Sequence, residues 1–192
     1  MKNKSFILPA YIILLFVMFL LPFFSASGYS IVTNTTSQLG AQNTPNSWIM
    51  NLTFVLLGLA CIWESVNYLK TYWINKTLLI VFGLGLIFTA IFQHAPIDLN
   101  LPYDLLKDQL HSFFASLIGF SFTAFSFSAT FIESTRKRKI IAFLMGFIAS
   151  GLSFLMFSLT EYTGIWQRMM FIISFAWIIF FFKRRKKEII DN

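Results

Sequence analysis

The chain has 192 residues and a mass of 22.2 kDa; 57% of its residues are hydrophobic, 25 of them Phe, and only 12% are charged. Soluble proteins have roughly 45–50% apolar and about 25% charged residues, so this composition excludes a water-soluble fold. A single cysteine, Cys61, excludes a disulfide framework and any zinc or iron–sulfur site built on cysteines.

Six apolar stretches are separated by polar breaks, and each is close to the ~20 residues that cross a ~30 Å hydrocarbon core as a helix. They cover residues 6–24, 48–69, 77–93, 112–132, 140–159 and 165–182. The sequence therefore predicts an all-α, polytopic membrane protein, in which residues 1–192 form a single six-helix transmembrane domain.

Basic residues indicate the orientation of these helices. Every Lys and Arg except Lys107 and Arg168 lies on the side of the two termini. By the positive-inside rule this predicts a multi-pass protein of the cell (inner) membrane with both termini cytoplasmic. The net charge of +7 then describes a rim that meets anionic lipid headgroups, so we expect membrane lipids and no nucleic acid as partners.

Segments 25–47 and 94–111 are predicted to face outward. The first is rich in Ser, Thr and Asn and carries no charge, whereas the second carries Asp98, Asp104, Asp108, His94 and His111. Both are longer than usual connections between packed helices, and long loops on a compact scaffold are often functional. We expect segment 25–47 to form a lid.

Small residues indicate which helices pack closely. The fourth helix has one stripe at Ser112 and Ser116 and a second at Ala115, Gly119 and Thr123, a spacing that allows close approach, so we expect this helix to be central. The Phe-rich sixth helix is expected to face lipid along much of its length. Glu64, near the cytoplasmic interface, is expected to reach toward Lys70.

Arg168 is the most informative charge, because it lies in the first turn of the sixth helix, on the side that basic residues avoid. We expect an ion pair with an outward carboxylate, with Asp108, Asp98 and Glu161 as candidates. The alternative is that its side chain snorkels to a lipid phosphate.

Asp108 and His111 stand three residues apart where the fourth helix begins, so they share a face if the helix extends back that far. Asp108 fits a helix-capping role. A His beside a carboxylate is also suited to act as a general base or metal ligand, and His94 lies on the same rim. Two His without a paired motif indicate no metal site and no identifiable cofactor, and known catalytic motifs are missing from the sequence.

Several short motifs resemble a known family. They are Ser37-Gln38-Leu39-Gly40, Pro45, Trp48, Asn51 with Leu52-Thr53-Phe54, Gly58, Pro96 with Asp98, His111, and Gly164 with Gln167-Arg168. Their order is similar to that of domain-of-unknown-function family 998, six-span prokaryotic membrane proteins. The chain also resembles, more distantly, the Frag1 and autophagy-modulator membrane proteins. Where family members often carry an acidic residue, this chain has Gln167.

The resemblance implies a six-helix fold and an outward cluster of Ser37, Asn51, Asp98, His111 and Arg168, and it supplies no activity. Three interpretations remain open. The favoured one is an outward pocket that binds or transports a lipid or small amphiphile, through these residues and Asp108. The second is a membrane enzyme acting on an extracytoplasmic lipid-linked substrate by His/Asp acid–base or metal-assisted chemistry. The third is a non-catalytic subunit, in a homo-oligomer or a membrane complex.

Overall fold

The structure, a computed structural model, describes residues 5–191, with side chains described as far as residue 188. Its α-helices are α1 Ile7–Leu20, α2 Ser47–Tyr68, α3 Trp73–Ile91, α4 Leu105–Ile132, α5 Arg136–Ser158 and α6 Thr163–Asp191. With the 3₁₀ helix Leu21–Phe24 added to α1, all six are long and apolar enough to cross a membrane. Between residues 5 and 191 the chain forms no strand, so the all-α six-helix prediction is confirmed.

The helices extend beyond the apolar stretches that predict them. Helix α4 begins at Leu105 rather than at residue 112, because Asp104 caps it and accepts a hydrogen bond from the Lys107 backbone N–H at 3.2 Å. Helix α6 continues past residue 182 to Asp191. Hydropathy marks the apolar part of a helix and does not mark its polar extensions.

The bundle has two ends with different contents. The terminal end carries the start of α1, the end of α6 and the α2–α3 and α4–α5 connections, and the distal end carries residues 25–46, 92–104 and 159–162. At the terminal end, Glu64 accepts hydrogen bonds from the Ser5 hydroxyl at 2.6 Å and the Phe6 backbone N–H at 3.1 Å. The expected approach of Glu64 to Lys70 is therefore wrong, because the start of α1 supplies nearer donors.

Helix α6 is the central element of the bundle. Its aromatic side chains contact α2 at Phe54, α3 at Phe82 and α4 at Phe125, and it also packs against α1 and α5. Phe175 and Phe181 are fully buried, although Phe180 is exposed. The expectation that the sixth helix faces lipid along much of its length is wrong, because most of its Phe side chains fill the space between the other five helices. The expectation that the fourth helix is central is wrong for the same reason, since α6 holds that place.

Helices α2 and α3 approach most closely at two glycines. A Cβ atom added at Gly83 would lie 2.7 Å from the Gly58 carbonyl oxygen, and one at Gly58 would overlap the Gly83 carbonyl.

The outer faces of the bundle carry exposed Phe side chains, including Phe16, Phe131 and Phe154. Such faces suit lipid and would be an aggregation liability in water.

Candidate functional site

Residues 25–46, here called the lid segment, fold over the distal end as an ordered layer. Its 3₁₀ helix Thr36–Gly40 begins with a capping box, in which Thr35 and Gln38 each accept a hydrogen bond from the other's backbone N–H. Leu39 of this helix and Ala41, just after it, are fully buried. The expectation of a lid agrees with this placement.

Polar side chains attach the lid segment to the helices below. The Gln42 amide donates to the carbonyls of Gln93 and Asp104, each at 3.0 Å. The Asn51 amide of α2 donates to the Gly40 carbonyl at 3.0 Å, and a Cβ at Gly40 would overlap the Asn51 side chain. Asn51 is thus engaged in holding the lid segment.

Arg168 is buried beneath the lid segment and is surrounded by neutral oxygen atoms. Its Nη1 donates to the carbonyls of Ile31 at 2.8 Å, Asn34 at 3.0 Å and Gly164 at 2.9 Å, and its Nη2 donates to the Tyr29 hydroxyl at 2.6 Å. A longer contact joins Nε to the Met18 carbonyl at 3.5 Å. We call this arrangement the carbonyl cage.

The expected ion pair of Arg168 with Asp108, Asp98 or Glu161 is wrong, since no carboxylate among the described side chains lies within 4.0 Å of its guanidinium. The physical reason is Gly164, where a Cβ would overlap the carbonyl oxygens of Ile31 and Asn34. Because this position has no side chain, the lid backbone comes close enough for its carbonyls to reach the guanidinium. Snorkelling to lipid is wrong as well, because the residue is 3% exposed.

Burial raises the pKa of the Tyr29 hydroxyl above its ordinary value, and the adjacent Arg168 guanidinium opposes that shift without cancelling it. Tyr29 also donates to the Thr35 carbonyl at 2.8 Å, so its hydroxyl links the arginine to the start of the 3₁₀ helix. No pattern in the sequence indicates this role for Tyr29, because a Tyr in a polar loop is usually a surface residue.

His111, on α4, is buried against the end of α3. Its Nδ1 lies 3.0 Å from the Thr89 carbonyl oxygen and 2.9 Å from that of Phe92. Both partners accept hydrogen bonds, so Nδ1 carries the proton and Nε2 is the lone-pair nitrogen of the neutral ring. His111 thereby satisfies carbonyls that the end of α3 leaves unpaired.

Asp108 pairs with the other imidazole. Its Oδ1 accepts a hydrogen bond from the Ala95 backbone N–H at 2.7 Å and lies 3.4 Å from Nδ1 of His94, whose ring meets that of His111 edge-on at 5.2 Å. The expected capping of α4 by Asp108 is wrong, because Asp104 holds that position one turn earlier. Asp98 lies apart from this cluster, exposed and bound to Asn100.

A cavity of about 610 Å³, here called the distal pocket, lies between α4, α5 and α6 under the edge of the lid segment. Its polar walls consist of hydroxyl, amide and imidazole groups: Thr35, Ser37, His94, His111, Ser112, Ser116, Thr123, Ser150, Ser153 and Gln167. Its rim includes Phe120 and Phe157, which are exposed on the lipid-facing surface of the bundle. The pocket therefore combines several polar groups with a mostly apolar wall and a lateral apolar edge.

The pocket exists because the small residues of α4 face it. Ala115, Ser116 and Gly119 line it, and a Cβ at Gly119 would meet only the Ser153 hydroxyl, at 4.0 Å. At these positions the expected close helix packing is wrong, since the missing side-chain volume is left as space, whereas Ser128 farther along α4 does contact α3, accepting a hydrogen bond from the Asn75 amide at 2.8 Å. A small apolar void of about 20 Å³ adjoins the pocket at Gly119 and Met170.

The six candidate site residues fall into two groups. Ser37 and His111 line the distal pocket, whereas Asn51, Asp98, Asp108 and Arg168 do not. The candidate set omits several residues that line the pocket. Two of them can be recognised in the sequence: His94 as a second imidazole on the same rim, and Gln167 as part of the family motif. Ser150 and Ser153 of α5 cannot, because which face of a helix turns inward depends on tertiary packing.

Between residues 5 and 191 the structure contains no group of three or more His, Cys, Asp or Glu side chains suited to hold a metal ion. Residues 10–182 match the family DUF998, described as a protein of unknown function. No curated protein and no solved structure matches the chain. The match covers nearly the whole chain and confirms the resemblance that the short motifs indicate, while the likeness to Frag1 proteins stays a prediction.

Proposed function

This chain, an integral membrane protein with six apolar helices, belongs to DUF998, a family of unknown function, and we therefore infer what it does from its own geometry. We propose that it binds or transports a lipid or small amphiphile in the distal pocket. The observation that carries this proposal is one cavity of about 610 Å³ with hydrogen-bonding groups inside and an apolar edge toward the bilayer.

The size and lining of the pocket support an amphiphilic occupant. Ligand sites are typically about 300–1,000 Å³, with a few converging polar groups on a mostly apolar wall. Polar groups that face a hydrocarbon environment without partners cost free energy. A molecule with a polar head and an apolar tail would satisfy the serine hydroxyls inside and replace bilayer lipid at Phe120 and Phe157.

Arg168 has a different role in this proposal from the one that the sequence favours. The carbonyl cage occupies its guanidinium, so it positions the lid segment and does not contact the ligand. A purely structural interpretation, as expected for a subunit of a homo-oligomer or complex, is favoured for this residue only.

We propose further that the distal end faces outward from the cell (inner) membrane, with both termini cytoplasmic. The uneven distribution of basic residues supports this orientation, because at the distal end only Lys107 and Arg168 are basic. The ligand would then enter from the outer leaflet.

Two glycines provide a matched test of the pocket. Gly119 on α4 lines it, and Gly151 on α5 does not; an added Cβ meets nothing within 4 Å at Gly151 and only Ser153 at Gly119. Replacing glycine by leucine raises helix propensity at either position, so both variants should fold. We expect Gly119→Leu to lose the lipid that co-purifies with the wild-type protein in mild detergent, and Gly151→Leu to retain it, as measured by native mass spectrometry.

Equal retention of that lipid in wild type and Gly119→Leu, with both folded, would refute the proposal. The same samples address the enzyme interpretation, which one observation favours: the Asp108 carboxylate lies 3.4 Å from Nδ1 of His94, an arrangement in which a carboxylate orients an imidazole that lines the pocket. If the bound lipid is chemically converted over time, and His94→Ala stops the conversion, the protein is an enzyme.

A further inference from the structure

We infer that the head group bound in the distal pocket is uncharged and donates a hydrogen bond, as the hydroxyl of a lipid alcohol or glyceride does. This inference rests on the proposed function and names the ligand class of the same pocket. It departs from the lipid phosphate that the sequence offers as the alternative partner of Arg168.

The first observation is the charge of the lining. The residues that line the pocket include no Lys, Arg, Asp or Glu, and its titratable groups are the imidazoles of His94 and His111. An ion transferred from water into such a site loses its hydration and gains no opposite charge. A neutral head is desolvated at much lower cost.

The second observation is the location of the nearby charges. The two basic residues of the distal end are both outside the pocket: Arg168 is in the carbonyl cage and Lys107 is exposed on the first turn of α4. The Asp108 carboxylate lies next to His94, at the pocket wall. An anionic head would therefore meet repulsion from Asp108 with no cation to balance it. A cationic head would lose its hydration without a carboxylate to contact, because Asp108 is not among the lining residues and its Oδ1 already accepts from the Ala95 N–H.

The third observation concerns hydrogen-bond direction. The Ser116 hydroxyl donates to the Ser112 carbonyl at 2.9 Å, and the Ser150 hydroxyl donates to the Gly146 carbonyl at 2.9 Å. Each hydroxyl uses its proton within its own helix, so its oxygen presents lone pairs to the pocket. Nδ1 of His111 is likewise occupied, which leaves Nε2 as an acceptor in the neutral ring. These three acceptors favour a ligand that donates.

Four probes that share one oleyl chain test the inference: oleyl alcohol, its methyl ether, oleyl phosphate and oleylamine. Binding is measured by displacement of a fluorescent lipid from the full-length protein, at about pH 8, where an imidazole with an ordinary pKa of ~6.5 is neutral. We expect oleyl alcohol to bind at least about tenfold more tightly than the phosphate and the amine, and several-fold more tightly than the ether, which lacks the donor.

A cation added at the mouth sharpens the test. Ser112 is exposed and lines the pocket, so Ser112→Lys should increase the affinity for oleyl phosphate at least about tenfold and leave that for oleyl alcohol nearly unchanged. Gly119→Leu should weaken the binding of oleyl alcohol, and Gly151→Leu should not, which locates that binding in the distal pocket.

The outcomes separate the two levels of the argument. The inference about the head group is overturned, and the proposed pocket stands, if the phosphate or the amine binds wild type as tightly as the alcohol does. The same holds if Ser112→Lys leaves the ratio of the affinities for oleyl phosphate and oleyl alcohol unchanged. If Gly119→Leu binds oleyl alcohol as wild type does, the proposed function fails with it.

Discussion

Helix α6 carries arginines at both of its ends, and the two ends hold them with different partners. At the distal end, Arg168 is held by backbone carbonyls and the Tyr29 hydroxyl. At the terminal end, Arg184 meets the Glu133 carboxylate at 2.6 Å and Arg185 meets Glu188 at 2.9 Å. Arg185 also donates to the Ile132 carbonyl. One helix thus uses neutral oxygens alone at one end and adds ion pairs at the other.

The difference follows from what each end must satisfy. The lid segment passes over the bundle in an irregular conformation, so its carbonyls need donors, and one guanidinium supplies several in a fixed geometry. A carboxylate there would add a second ion to desolvate. At the terminal end, the basic extension of α6 instead packs on the α4–α5 connection, and Arg185 also lies over the Tyr72 ring at 5.0 Å.

The largest expected effect is that of Arg168→Ala. Removing the guanidinium takes the charged donor away from the part-buried carbonyls of Ile31 and Asn34, and hydrogen bonds to charged groups are worth ~1.5–3 kcal/mol each. We expect a loss of about 3 kcal/mol or more, which lowers the Tm in detergent by about 6–12 °C at this chain length. Thermal unfolding followed by intrinsic fluorescence measures it.

Because the partners of Arg168 are neutral, its contribution should be nearly the same at low and high salt. Arg168→Lys is the matched control, since it keeps the charge and loses the forked donors; we expect it to recover only part of the loss. A Tm of Arg168→Ala within about 2 °C of wild type would mean that the carbonyl cage does not stabilise the fold.

A smaller effect is expected at the terminal end from Glu133→Gln. Glu133 is buried and its partner Arg184 is about three-quarters buried, so the change removes a charge-assisted bond and leaves a cation poorly compensated. We expect a loss of about 2 kcal/mol and a Tm lower by about 4–8 °C, measured as above.

Arg138→Ala provides the control for Glu133→Gln at the same end of the bundle. Arg138 and Glu188 are each about a third exposed, so solvent screens their 3.2 Å ion pair. We expect a loss of at most about 0.5 kcal/mol. If Arg138→Ala were as costly as Glu133→Gln, burial would not be what distinguishes the two pairs.

The sequence predicts the six helices well and their packing poorly. Each apolar stretch indicates a helix because the bilayer demands it, whatever the helix touches. The side on which α6 buries Phe175, and the space that the small residues of α4 leave, depend on which helices become neighbours. A lone sequence contains no such information, so the Phe-rich helix was assigned to lipid and the Ser/Gly stripe to close packing.

The candidate site divides along the same line. His111 lines the pocket because it lies near the distal start of α4, and Ser37 lines it because the lid segment folds over that end. The ion pair predicted for Arg168 is wrong because its actual partners are backbone carbonyls, which every residue carries and which no charge pattern in the sequence marks. Asp98 was included for its charge, and its side chain lies in the exposed part of the α3–α4 connection.

The last expected effect, also smaller than that of Arg168→Ala, separates the hydroxyl of Tyr29 from the carbonyls of the cage. Tyr29→Phe removes the acceptor of Arg168 Nη2 and the donor to the Thr35 carbonyl, and leaves the ring in place. We expect a loss of about 1 kcal/mol and a Tm lower by about 2–4 °C near neutral pH.

Because burial raises the pKa of Tyr29 above its ordinary 10.0, the folded state holds this proton more tightly than the unfolded state does. The stability that the phenol supplies is therefore present below about pH 10 and is lost as the pH rises further. The difference in Tm between wild type and Tyr29→Phe should accordingly narrow above about pH 10; a difference that widens there would mean that Arg168 outweighs burial and stabilises the phenolate.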